Sequence, residues 1–341
     1  MLRSFGRFDG EDVHEITLKS EAGATASVIT WGAVVRDLVV PSSRGPQRVV
    51  LGFEEFEHYP QHSPHFGAIA GRFANRIGHG TFTLDGVRHQ VTLNQNDPPG
   101  PGGVPRHHLH GGARGFGKRN WSLVAHGQRF VTLALVSPDG DEGYPGALNV
   151  MCTYTLAEPA TLRVELAATT SKPTIINLCH HSYFNLDGSA DIGDHLLQLD
   201  ADFRTPTDAD LIPTGEITAV AGTAHDFREA KPMRQLAGGE RVRFDANWVR
   251  RHRGFGRCAR VESPVNGLTL ETWTTEPAVQ FYDGAKMNPP VAGLGGVRYG
   301  GFAGFCLEPQ RFPDSPNRPH FTDATLRPGE VYSQITEYRF A

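Results

Sequence analysis

Hydrophobic and polar residues alternate along this chain in short runs, and residues that favour turns separate the runs. Strand-like stretches occur at Val13–Lys19, Ala24–Trp31, Val34–Val40, Gly80–Leu84, Arg88–Leu93, Phe130–Ser137, Ala147–Leu156 and Thr161–Thr170. They continue at His195–Phe203, Leu268–Thr275, Ala278–Tyr282, Phe302–Leu307 and Val331–Phe340. Asp85-Gly86, Pro138-Asp139-Gly140 and Pro328-Gly329 are turn signals between them. Helical periodicity shows only in a short piece near Arg228–Leu236. Many short strands with turn punctuation predict an all-β sandwich or barrel rather than alternating βαβ units. No fixed-period repeat or linker-like break divides the sequence, so residues 1–341 are expected to form a single domain.

The stretch Ile176–Leu186 (INLCHHSYFNL) departs from the simple apolar pattern. It follows the β-branched Thr174 and Ile175 and ends in aromatics, which predicts a buried strand. Side chains leave a strand on alternate faces. Asn177, Cys179, His181 and Tyr183 are therefore expected on one face, and Ile176, Leu178 and His180 on the other. An amide, an imidazole and a phenol on one face suit the floor of a polar cleft. A satisfied core histidine is the plain alternative for His181.

Composition narrows the class. The chain has 341 residues, 39% hydrophobic and 21% charged, with a formal net charge of −4. That balance offers no electrostatic case for nucleic acid or anionic membrane. The 39 Gly and 24 Pro are spread along the chain, as short strands and turns require. The N-terminal MLRSFGRFDGED lacks an apolar core, and no segment approaches a membrane span, so a cytoplasmic location is expected. The four cysteines are far apart; Cys152, Cys179 and Cys306 sit in apolar runs and are expected as buried free thiols.

Several other segments hold candidate chemistry. Gly71–Ile77 (GRFANRI) has two arginines among small residues, either a surface turn or a hydrogen-bond fork for an oxygen-rich ligand. His107–Gly112 (HHLHGG) has three histidines, but their spacing and lack of nearby carboxylates do not match a zinc pattern. Asn94–Arg106, which runs into it, is read as a loop, with a lid over a site as the alternative. Phe244–Val249 (FDANWV) places Asp245 before an apolar pair. In Gly304–Gln310 (GFCLEPQ), Cys306, Glu308 and Gln310 share a strand face, and Glu308 requires a raised pKa or a partner. Pro309 marks the end or an edge of that strand. Pro138–Gly146 has an incomplete calcium-loop spacing and reads as a tight acidic turn.

Taken together and in order, these motifs resemble the aldose 1-epimerase (galactose mutarotase) family. The likeness runs from WGAVVRDLVVPS through FGAIAGRFANRIGHGTFTLDG, LHGG, SPDGDEGYPG, NLCHHSYFNL, TPTDADLIPTGEI and TTEPAVQFYDG to GFCLEPQRFPD and LRPGE, nearly the whole chain. The resemblance implies a large β-sandwich of the galactose mutarotase type with an open sugar cleft on one sheet. It implies His181 as general acid and Glu308 as general base, with Asn75, Arg76, His110, Tyr183, Asp245 and Gln280 lining the sugar site. It implies no cofactor and no metal, a monosaccharide as the only small-molecule partner, and a monomer or homodimer. The chain departs from the family pattern at Cys179-His180 (usually Thr-Asn), at Asp283-Gly284-Ala285 (usually Thr-Gly-Asn), and in a longer loop before Leu-His-Gly-Gly. These departures bear on preference among aldoses.

The chemistry suits those residue types. Exchanging anomers needs a base for the O1 hydroxyl proton and an acid for the ring oxygen, and no redox group, metal or nucleotide. Two other classes fit less well. A sugar-binding protein on the same scaffold would not need the His181–Glu308 pair. A glycoside hydrolase would use Asp245 and Glu308 as paired carboxylates. A phosphosugar relative would call for an extra Lys/Arg cluster, which the matched segments lack.

Overall fold

A computed structural model of the chain describes residues 1–95 and 103–341. Residues 96–102 of the Asn94–Arg106 segment, which reads as a loop with a lid as the alternative, lie outside those residues. Strands dominate, and every paired strand is antiparallel to its neighbour. The expected all-β sandwich is present.

A nine-stranded sheet runs in the order Ser122–His126, Phe130–Ser137, Leu148–Ala157, Thr161–Thr170, Tyr332–Phe340, Thr269–Thr274, Gly256–Glu262, Leu196–Leu199, Lys231–Pro232. A six-stranded sheet runs Tyr183–Phe184, Phe305–Gln310, Ala278–Tyr282, Asp245–Arg250, Ala201–Thr205, Thr218–Ala219. Their inner faces share one apolar core: Val150, Tyr154, Val164 and Tyr338 from the first meet Phe184, Phe281, Trp248 and Leu307 from the second. Two hydrogen bonds also cross the layer, Tyr338 Oη donating to Leu307 O and Gln334 Nε2 to Pro309 O. A five-stranded sheet, Leu2 to Arg48, packs its apolar face into the same core through Leu18, Val28 and Val40.

Register across the six-stranded sheet sorts its two faces. Ala246 opposes Phe281, which opposes Leu307, and all three point into the core. One residue along, Asn247 opposes Gln280, which opposes Glu308; Asp245 likewise opposes Tyr282, which opposes Cys306. Period-two geometry therefore puts these polar rows on the outward face. Ala278–Tyr282 and Phe305–Gln310 are fully or nearly buried, yet only one side of each is core.

Three readings of the pattern need correction. No helix forms near Arg228–Leu236: Lys231–Pro232 pairs with Leu196–Leu197. Pro232 removes a backbone donor and obstructs a helical turn, while Phe227 and Met233 are drawn into the core. The α-helix among the described residues is the short His58–His62. His195–Phe203 is not one strand; it turns a corner at Asp200 and divides between the two large sheets. Ile176–Leu186 is not one strand either. Cys179–His181 pairs with Ala68–Ala70, and after Ser182 the chain changes partner so that Tyr183 opposes Cys306. No helix among the described residues is long and apolar enough to cross a membrane.

Candidate active site

The outward face of the six-stranded sheet is the floor of a cleft of about 320 Å³, at the small end of ligand pockets. Glu308, Asp245 and Tyr282 come from the sheet, and His181 and Tyr183 from the stretch that crosses onto it. Asn75, Arg76 and His110 form one wall.

That wall is built by two of the sequence motifs pairing with each other. Leu109 opposes Arg76 and His108 opposes Ile77 in a two-stranded ribbon. His110 N donates to Asn75 O, and Asn75 N donates to His110 Nδ1. Both residues hold positive φ, 62° at Asn75 and 49° at His110, which the reciprocal bonds stabilise. Gly111 follows with φ +85°, and a Cβ there would lie 1.6 Å from Gly71 O, so glycine is required for the ribbon to close. The acidic turn supports the same loop, since Glu142 accepts from Ala113 N and Arg114 N.

Because His110 Nδ1 is an acceptor, its proton sits on Nε2. Burial, helped by His65, His181 and Arg76, lowers its pKa well below the ordinary imidazole value. His110 therefore presents a neutral N–H donor. The other two histidines of the motif go elsewhere. His107 accepts from His79 N and stands 3.4 Å from Asp210, while His108 meets Thr92 O and Tyr144 Oη, each at 2.6 Å. The three rings do not converge on one point.

Arg76 extends the wall as a fork. Its Nε donates to Gln95 Oε1 at 2.8 Å, Nη1 to Asn75 Oδ1 at 3.3 Å and Nη2 to Asp245 Oδ2 at 3.5 Å. The second oxygen of Asp245 accepts from Gln280 Nε2 at 2.6 Å. Gln280 is not among the residues lining the cleft; it lies behind Asp245 and orients it. A carboxylate held by both oxygens keeps lone pairs for hydroxyl donors in the cleft.

His181 and Glu308 meet on the floor, with His181 Nε2 3.6 Å from Glu308 Oε2. Burial raises the Glu308 pKa above the usual carboxylate value, and the nearby His181 opposes that rise. Cys179 Sγ, 3.4 Å from Oε2, also stabilises the ionised form. The His181 ring is stacked between those of Tyr183 and His65, at centroid distances of 5.2 and 5.6 Å. Tyr183 is itself fixed by donating to Pro64 O at 3.1 Å. His180 occupies the opposite side. Its ring bonds to Tyr154 Oη and Ser182 Oγ and packs on Tyr338, and burial lowers its pKa to about 3.

Of the acid, base and sugar-site residues that the resemblance implies, all except Gln280 line this cleft. His65, Gln95, Tyr282 and Lys286 line it too and were missed. His65 stands six residues before Gly71–Ile77 and Tyr282 two after Gln280, so proximity to the motifs was a usable signal. Gln95 had none, since it falls within Asn94–Arg106, a segment dominated by Pro and Gly.

Comparison with known proteins places the chain in a family. The aldose 1-epimerase family profile matches residues 14–339. The chain is 43% identical over 321 residues to galactose mutarotase of Bos taurus, covering 92% of this chain and 90% of that protein. It is 40% identical over 339 residues to galactose mutarotase of Homo sapiens, covering 97% and 95%. A crystal structure of an aldose epimerase homologue from C. elegans superposes with a TM-score of 0.89 at 32% identity, covering 96% of this chain and 98% of that one. With the match spanning nearly every strand and all of the cleft, the chain belongs to the aldose 1-epimerase family.

Proposed function

We propose that this protein interconverts the α and β anomers of a free aldose such as galactose or glucose, with Glu308 as general base and His181 as general acid. One observation carries the assignment of roles. The two oxygens that exchange protons in mutarotation, O1 and the ring oxygen, are bonded to the same carbon. A base and an acid serving them must stand side by side, and His181 Nε2 lies 3.6 Å from Glu308 Oε2 on the floor of the cleft.

The reaction then runs without any outside reagent. Glu308 takes the O1 proton while imidazolium His181 gives its proton to the ring oxygen, and the C1–ring-oxygen bond breaks. The open aldehyde rotates about C1–C2. The ring hydroxyl attacks the other face of the carbonyl, returning its proton to His181, as Glu308 protonates the carbonyl oxygen. Both groups end as they began. Each transfer can contribute ~10²–10⁴-fold. Asn75, Arg76, Asp245 and the neutral His110 hold the sugar hydroxyls, and Tyr183 buttresses the His181 ring. Gln280 acts on the sugar through Asp245.

The cytoplasm is the proposed location, where the four buried cysteines remain thiols. Polarimetry on freshly dissolved α-galactose tests the reading. Faster relaxation to the same final rotation supports it; a new end point, or no acceleration for galactose, glucose, xylose and arabinose, contradicts it.

A further inference from the structure

A thiol lies behind the acid and the base on the cleft floor: Cys306 is fully buried and is not among the residues lining the cleft. Cys306 and Glu308 occupy successive positions on the same face of Phe305–Gln310, and His181 lies across them. Cys306 Sγ is 3.6 Å from His181 Nδ1. One donor atom from each of His181, Cys306 and Glu308 falls within 4.8 Å of the others, and all three residues are buried. Among the described residues this is the trio of His, Cys, Asp or Glu side chains gathered in that way.

The donor set has a chemical preference. Zinc binds sulfur at about 2.3 Å and imidazole nitrogen or carboxylate oxygen at about 2.0–2.2 Å, which makes the edges of its tetrahedron roughly 3.3–3.8 Å. The sulfur–nitrogen edge, taken at Nδ1, already has that length, and the remaining edges, within 4.8 Å, need to close by about 1.5 Å at most. A thiolate with an imidazole selects Zn²⁺ or Cd²⁺ over Mg²⁺ and Ca²⁺, which prefer all-oxygen cages. Cys179 Sγ, 3.4 Å from Glu308 Oε2, stands next to the trio, and water from the cleft can supply the open position.

We propose that His181, Cys306 and Glu308 form an inhibitory binding site for a thiophilic divalent cation, with Zn²⁺ the first choice. On binding, the Cys306 thiol releases its proton to solvent and its sulfur coordinates the ion. A His181 nitrogen and a Glu308 oxygen are taken up by the same ion. Neither can then move a proton, so metal and sugar exclude each other. The inhibitory half rests on the acid–base roles proposed above; the binding half rests on the donor geometry alone.

The test uses the full chain, stripped with chelator and titrated with Co²⁺ and then Zn²⁺. The expected result is one Co²⁺ per chain with a thiolate-to-cobalt charge-transfer band, displaced by Zn²⁺. Affinity should fall by more than about tenfold in Cys306→Ser and, separately, in Glu308→Gln. Galactose should raise the apparent Kd for Zn²⁺, and Zn²⁺ should abolish mutarotation reversibly on adding chelator. Circular dichroism selects the variants that fold, and either one suffices. Absence of the band, a band of unchanged affinity in a folded variant, or an enzyme active with Zn²⁺ fully bound would each overturn the proposal. Metal binding through Cys306 in a chain with no mutarotation would support the site and overturn the functional reading instead.

Discussion

His180 and His181 are neighbours in sequence and face opposite sides of the sheet layer. The first is sealed between Tyr154, Ser182 and Tyr338, and the second stands 3.6 Å from Glu308 in the cleft. Only His181 can reach a substrate. His180→Asn should therefore keep most of kcat, while losing some stability through its bonds to Tyr154 and Ser182, about 1 kcal/mol each. His181→Asn should lower kcat by ~10²-fold or more, because Asn cannot donate a proton as an acid. Polarimetry on both variants decides the assignment, and the reverse pattern would refute it.

Gln280 tests the layer behind the cleft. Replacing it by Leu removes the donor to Asp245 Oδ1 and leaves the proton-transfer groups in place. The expected result is a rise in KM of roughly fivefold, equivalent to about 1 kcal/mol, with kcat little changed. A large fall in kcat at constant KM would mean that Gln280 acts on the chemistry directly.

The pH profile carries a sign. Glu308 works as a base only when ionised, and burial raises its pKa. Activity should be lost as pH falls, and the acid limb of kcat/KM should lie above the ordinary Glu value of about 4.3. The Cys179 hydrogen bond favours the ionised form, so Cys179→Ala should move that limb further up. A limb at or below the ordinary value, or a shift down in the variant, would contradict this electrostatic account.

Glu276 predicts a pH effect on stability separate from catalysis. Its carboxyl is buried, its Oε2 has no hydrogen-bond partner among the described residues, and burial raises its pKa from 4.5 to about 7. Between those values the unfolded chain has released the proton and the folded chain retains it. Stability should therefore fall as pH rises through this window, and then level off. Glu276→Gln should stabilise the protein more at pH 8 than at pH 4.5, by up to ~3 kcal/mol. Equal Tm changes at both pH values would rule the effect out.

Much of the site was legible because strand periodicity is a strong constraint. Leu307 and Pro309 alternate with Cys306, Glu308 and Gln310, and that alternation by itself places Glu308 on the face away from Leu307 and the core. The opposite facing of His180 and His181 follows from the same rule and survives the break at Ser182, since Cys179–His181 remains extended. The change of partner at Ser182 was not legible, because no local propensity records which strand lies alongside. The place of Gln280 behind Asp245 depends on cross-strand register. The strand Asp245–Arg250 escaped the pattern because both its faces are covered, one by the core and one by polar residues of the cleft.

Glu308 acts as the base, and a single substitution tests that role directly. Glu308→Gln keeps the size of the side chain and one acceptor oxygen and removes the ability to take a proton. Mutarotation of fresh α-galactose, followed by polarimetry across sugar concentrations, should show kcat reduced by at least ~10²-fold with KM changed far less. Near-full kcat in a folded Glu308→Gln enzyme would contradict the account.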